Sequence, residues 1–159
     1  IDTNNFLTKT GVRTFEAAAF LRRCGADVTR VRKMFREHVE DYRAKGEAIR
    51  NAELFRDHFA ISVCPSEGLD SPTVVGAQAA NELFNIIGVK ASFVLTDYRN
   101  TIYISARSID EINVQIVMER LGGGGHLNIA GAQLEHYSIA EARDVLKQTL
   151  QKMLDEGDI

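Results

Sequence analysis

The chain has 159 residues, 45% of them hydrophobic and 26% charged, which suits one globular domain plus an appendage that folds without disulfide or metal staples. A net charge of −3 argues against a partner as long and polyanionic as duplex DNA, whereas a nucleotide with one or two phosphates needs only a single pocket. No stretch reaches the roughly 20 apolar residues that a membrane helix requires.

Ile1-Asp2-Thr3-Asn4-Asn5-Phe6 opens on an apolar and an acidic residue without Met, which reads as a boundary cut into a longer protein. Residues 13–23 are predicted as a short helix, with Val12, Phe15 and Ala19 at helical spacing and Gly25 as its stop. One long linker helix is predicted over 27–56, with an apolar stripe of Val28, Val31, Phe35, Val39 and Tyr42. Arg22, Arg23, Arg30, Arg32, Lys33 and Arg36 form a basic cluster interleaved with Asp27 and Glu37. It reads as a solvated face, or alternatively as a rim that attracts a nucleotide anion. Cys24 and Cys64 lie in apolar segments without metal-like spacing, so both are expected as buried, reduced thiols of a cytosolic protein.

From about residue 57 strands and helices alternate. Residues 59–64 have strand periodicity, and Ser71-Pro72 opens a helix whose face is Val75, Ala79, Leu83 and Ile86, ended by Gly88. Residues 91–96 and 101–106 are predicted strands joined by a hairpin turn, Asp97-Tyr98-Arg99-Asn100. Ser108-Ile109-Asp110-Glu111 reads as a capping box for a helix to about Leu121. A last strand is expected around Leu134, and Ser138-Ile139-Ala140-Glu141 is a second capping box for a helix to about Leu154. That order of elements is a compact α/β domain.

The chemistry concentrates in Gly122-Gly123-Gly124-Gly125-His126. Four glycines cost backbone entropy on ordering. Without Cβ atoms, however, successive N–H groups can turn toward one anion, and His126 adds a donor that titrates near neutrality. A phosphate-binding loop and a tight structural turn both remain open. No Lys-Ser or Lys-Thr follows, so this is no Walker A loop, and the run follows a helix, so the dinucleotide-binding fingerprint fails on context. Arg107 sits where a strand ends and a helix begins, a place from which it could fork onto a phosphate or stack on a base. Asn113, at the start of the next helix, could donate to either group. His38 and His58 have no partners at metal spacing, His136 reads as a surface residue after the last strand, and no Ser–His–Asp set or Cys–His pair is encoded.

Taken together, Ser105-Ala106-Arg107-Ser108, Asn113-Val114, Gly122 to His126 and Ala130-Gly131 resemble the DHH-associated domain of the DHH phosphoesterase superfamily. The likeness is closest to bacterial membrane-anchored cyclic-di-AMP phosphodiesterases. Asp2-Thr3-Asn4-Asn5-Phe6 and Thr10 to Ala18 look like the end of the catalytic DHH domain, so the resemblance covers nearly the whole chain.

The resemblance implies an α/β fold, a mixed small sheet flanked by helices. It also implies a catalytic remnant over 1–26, the linker helix over 27–56 and a substrate-binding domain over 57–159. Two manganese ions in the DHH domain would activate water against a phosphodiester. Asp2 matches a metal-ligand position. Arg107, Ser108, Asn113, Gly122, Gly123, Gly124, Gly125 and His126 match substrate-contacting ones, and His126 is also implied to help position the scissile phosphate catalytically. The implied partners are a cyclic dinucleotide or short oligonucleotide, the upstream DHH domain of the same chain, and a second copy in a homodimer. The implied location is a cytoplasmic domain of a membrane-anchored parent. The remaining metal motifs of the family are missing from the 159 residues, so the chain is expected to bind nucleotide weakly, hold no metal and hydrolyse nothing. Ile129 stands where related domains often carry Ala. The alternatives are the substrate-binding domain of a RecJ-like or nano-RNA exonuclease, and a stand-alone nucleotide-binding module.

Overall fold

The structure, a computed structural model, describes residues 3, 6, 9–109 and 111–159. It divides into two compact units, residues 1–37 and 38–159, each treated by itself. In the first, α1 (Val12–Arg23) ends before Gly25, whose φ of +96° turns the chain as the sequence predicts. Helix α2 (Val28–Lys33) is capped by Asp27, whose carboxylate accepts from Thr29 N at 2.9 Å and Arg30 N at 3.2 Å.

The single helix expected over 27–56 is two helices and a strand. After α2 the chain becomes extended at His38 (ψ 153°), and α3 (Val39–Arg50) starts anew, followed by β1 (Glu53–Phe55). Charge fits two dipoles better than one: Arg30, Arg32 and Lys33 close α2, while Glu40 and Asp41 open α3. The stripe of Val28, Val31, Phe35, Val39 and Tyr42 is exposed throughout. In α3 it is Ala44 and Ala48 that are buried.

The second unit is built on a six-stranded sheet in the order β1-β2-β3-β4-β6-β5. Its remaining elements are β2 (Phe59–Cys64), α4 (Pro72–Leu83), β3 (Ala91–Tyr98), β4 (Thr101–Ser108), α5 (Val114–Arg120), β5 (Gly124–His126), β6 (Ile129–Glu135) and α6 (Ile139–Glu156). Strands β2 and β3 are parallel, joined through α4, and the other pairings are antiparallel, so the sheet is mixed. Two cores follow from the pleat. On one face Ala60, Cys64 and Val94 pack with Val75, Ala79, Ala80 and Leu83 of α4 and Ala44 and Ala48 of α3. On the other, Ile61, Phe93, Leu95, Ile102 and Ile104 pack with Val117 and Met118 of α5 and Leu146, Leu150 and Met153 of α6. No helix among the described residues is long and apolar enough to cross a membrane.

Local chemistry explains where the elements stop. The hairpin turn narrows to Arg99-Asn100, with φ of 52° and 61°, the doubly left-handed conformation that matches strand twist. Helix α4 carries Pro72 in its first turn but ends at Leu83, before Ile86 and Gly88. Helix α6 has the predicted capping box: Ser138 Oγ accepts from Glu141 N, and Glu141 accepts from Ser138 N at 2.8 Å. The Ser138 backbone and then its hydroxyl hold the Glu141 carboxyl below the ordinary glutamate range.

The other predicted capping box is not formed. Ser108 is the last residue of β4, opposite Ala91, and its buried hydroxyl donates to Leu127 O at 3.4 Å. Glu111 pairs instead with Lys90 at 3.6 Å. Helix α5 begins only at Val114, capped by Asn113, which accepts from Gln115 N at 3.0 Å.

The glycine run is part helix cap and part strand. Gly122 (φ +77°) donates to Glu119 O at 3.0 Å and Gly123 to Met118 O at 2.8 Å, the paired bonds of a Schellman cap on α5. The chain then enters β5, which docks closely on β6. A Cβ on Gly123 would collide with Gly131 O and lie 2.6 Å from Ala132 Cα. On Gly125 (φ +152°) it would lie 2.5 Å from Ala130 Cα and from Ile129 O.

Gly123→Ala is therefore expected to destabilise the domain by about 1–3 kcal/mol, seen as a lower urea midpoint with unchanged slope. A second test concerns the thiols. Cys24 is exposed, contrary to the sequence expectation, because it lies at the C-cap of α1. Burial, and secondarily the charge of Glu47, pushes the Cys64 thiol up to about 11. A thiol reagent at pH 8 should modify one cysteine in the native chain and the second only after denaturation.

Candidate functional site

Register determines which side chains share a face. In β4, Ile102, Ile104, Ala106 and Ser108 are buried, while Thr101, Tyr103, Ser105 and Arg107 alternate with them on the opposite face. Arg107 lies opposite Ser92 of β3, and Ser92 Oγ donates to Ala80 O of α4 at 2.7 Å, so this row faces the α4 side. Helix α4 packs on β2, β3 and part of β4, and beyond it Ile129 and Gln133 of β6 and His126 of β5 are exposed.

Two cross-strand rows run over that open area. Arg107 lies opposite Ile129 of β6, which lies opposite His126 of β5. Ser105 lies opposite Gly131, which lies opposite Gly124. Arg107 and His126 are thus on one face and in one row, two strand spacings or about 10 Å apart. A cavity of about 570 Å³ lies on the same face, lined by Thr73, Tyr103, Ser105, Gly123, Gly124 and Gln133 among others.

Within the run, the four glycines have different reasons to be glycine. Gly122 supplies a left-handed cap, and Gly123 and Gly125 supply clearance for β6. Gly124 has neither constraint: its φ is not positive, and a Cβ there would meet nothing within 4 Å. Its absent side chain leaves room in the cavity. The N–H groups of Gly122 and Gly123 are spent on the cap of α5, so they do not belong to an anion nest. What the face offers an anion is Arg107, His126 and the outer backbone of edge strand β5.

Arg107 is held by two side-chain hydrogen bonds. Its Nε donates to Asn81 Oδ1 on α4 at 2.7 Å, and Nη1 donates to Ala106 O at 2.8 Å. Burial pushes the guanidinium below its ordinary value, yet an arginine stays protonated. Among the described residues it forms no salt bridge, so its charge is not cancelled by a carboxylate. His126 is exposed at the sheet edge.

The other expected site residues are placed differently. Ser108 points to the α5 side, opposite to Arg107, and its hydroxyl ties β4 to the β5–β6 turn through Leu127 O. Asn113 spends its carbonyl oxygen on the cap of α5, which leaves its amide N–H groups as donors. Asp2 lies outside the described residues. Among the described residues no group of three or more His, Cys, Asp or Glu could hold a metal ion. Sequence reasoning missed Asn81, Tyr103 and Gln133. The alternation through Tyr103, Ser105 and Arg107 was the available signal for the second of these.

The chain spans about a third or less of the length of the curated relatives it matches. It is 42% identical to the cyclic-di-AMP phosphodiesterase PdeA of Listeria monocytogenes over 92% of this chain and 22% of the relative. It is 41% identical to the cyclic-di-AMP phosphodiesterase GdpP of Bacillus subtilis over 99% of this chain and 24% of the relative. The fold is shared with an exopolyphosphatase-related protein from Bacteroides fragilis at a TM-score of 0.82 and 23% identity, covering 96% of this chain and 47% of that one. The DHHA1 domain family's sequence profile matches residues 58–152, which include the whole row from Arg107 to His126, and the chain belongs to that family.

Proposed function

We propose that the open face of residues 38–159 binds a cyclic dinucleotide for hydrolysis within a larger phosphodiesterase. The observation that carries this is the row Arg107–Ile129–His126, with Gly124 beside it at the floor of an open cavity. A fixed cation and an imidazole donor two strands apart suit a ligand with more than one acceptor group. The Arg107 fork donates to phosphate oxygens, His126 donates from the edge, and Gly124 lets a phosphate or sugar approach the backbone. The Tyr103 ring, on the same face, gives a base a surface to stack on. The names of the Listeria and Bacillus relatives support cyclic-di-AMP as the ligand.

In this reading water attacks one phosphorus, one phosphodiester P–O bond breaks, and the ring opens to a linear diadenylate with a terminal phosphate. The described residues do not fit a metal pair. Manganese, as the family resemblance implies it, would be held by a DHH portion to which Asp2 would contribute one ligand, and would supply there the activation of the attacking water. The parent is anchored in a membrane with this chain on its cytoplasmic side. The chain by itself binds and does not hydrolyse.

Two results are expected. In calorimetric titration with cyclic-di-AMP, Arg107→Ala should weaken binding about 10- to 100-fold, the worth of a charge-assisted hydrogen bond, and His126→Ala should weaken it less. Unchanged affinity in both variants, or manganese-dependent turnover by the 159-residue chain, overturns this function. Gly124→Ala should keep its stability within about 0.5 kcal/mol and still lose affinity, unlike Gly123→Ala, which loses stability first.

A further inference from the structure

We infer that Asn81 is a positioning residue that sets the orientation of Arg107 for ligand binding. This deepens the function proposed above and rests on it. Asn81 stands on the exposed side of α4, and no periodicity or motif in the sequence marks it. Its side-chain carbonyl oxygen accepts a hydrogen bond from Arg107 Nε at 2.7 Å across a sequence separation of 26 residues.

The geometry around this bond is closed on itself. Arg107 is the cross-strand neighbour of Ser92, Ser92 Oγ is bonded to Ala80 O at 2.7 Å, and Ala80 is adjacent to Asn81, which returns to Arg107. The Ser92 link is buried, so α4 is tied to β3 beside the strand pairing with β4, at the point where Asn81 reaches out. With Nη1 on Ala106 O as well, two of the three guanidinium nitrogens are engaged by neutral oxygens. The plane of the fork is set, and among the described residues the Nη2 edge is left for a ligand. A long side chain that is already oriented loses less rotamer freedom on binding, and Asn81 supplies that saving.

The test is an NMR titration of the 15N-labelled chain with cyclic-di-AMP, following the backbone amides and the Arg107 Nε–Hε resonance. Asn81→Ala should bind about three- to tenfold more weakly, the cost of ordering one long side chain. It should also lose the slow water exchange of Arg107 Hε while its melting temperature holds. Asn81→Asp keeps an oxygen acceptor in place and should restore the Hε signal but not the affinity, because its carboxylate offsets the Arg107 charge that the phosphates need. In an Arg107→Ala background, Asn81→Ala should have no further effect. If the unaltered chain binds but Asn81→Ala binds equally well, or if its loss persists without Arg107, the role of Asn81 is overturned alone. If the unaltered chain does not respond to cyclic-di-AMP, the nucleotide site and the role of Asn81 fall together.

Discussion

Strand β5 approaches β6 so closely at Gly123 and Gly125 that a Cβ on either would overlap the backbone of residues 129–132, and the layout of the open face depends on that approach. Side chains alternate along a strand, so a slip of one residue would turn His126 away from Arg107 and Gly124 away from the cavity. The helix cap at Gly122 and Gly123 locks the entry to β5, and the pairing of His126 with Ile129 locks its end. Three residues of edge strand are held from both sides, which allows a short, glycine-rich segment to present a histidine in a defined place.

The electrostatics of the face differ from those of a helix N-terminus or a nest of backbone amides. The glycines follow the carboxyl end of α5, where the dipole disfavours an anion, and two of their N–H groups satisfy helix carbonyls. Attraction for an anion comes from Arg107 instead, whose partly buried guanidinium is hydrogen-bonded by Asn81 and Ala106 oxygens and pairs with no carboxylate among the described residues. Neutral acceptors offset the cost of burying the group while leaving its charge for a ligand.

Much of this was legible in the sequence because the signals were local. Period-two alternation gave β2, a hairpin turn between two apolar runs gave β3 and β4, Pro72 gave the start of α4, and Ser138 with Glu141 gave the start of α6. The misreadings have physical causes. A Ser-x-x-Glu pattern at 108–111 looks like a cap, but strand pairing to β3 and β6 and a bond to Leu127 claimed Ser108 first. The break between α2 and α3 carries no Gly or Pro and shows only in the change from basic to acidic residues. Four adjacent glycines suggested one role, whereas they serve as a cap, as clearance and as an open floor. Asn81 was out of reach because its partner is fixed only by tertiary packing.

Both edge strands of the sheet have three residues, Glu53–Phe55 on one side and Gly124–His126 on the other. An edge that short offers few consecutive free N–H and C=O groups for a foreign strand to zip onto, and adjacent glycines weaken it further as a template. A domain that leaves half of one sheet face uncovered risks sheet-to-sheet aggregation through its margins. Keeping those margins short lets the face stay accessible to a small molecule without inviting fibril-like growth.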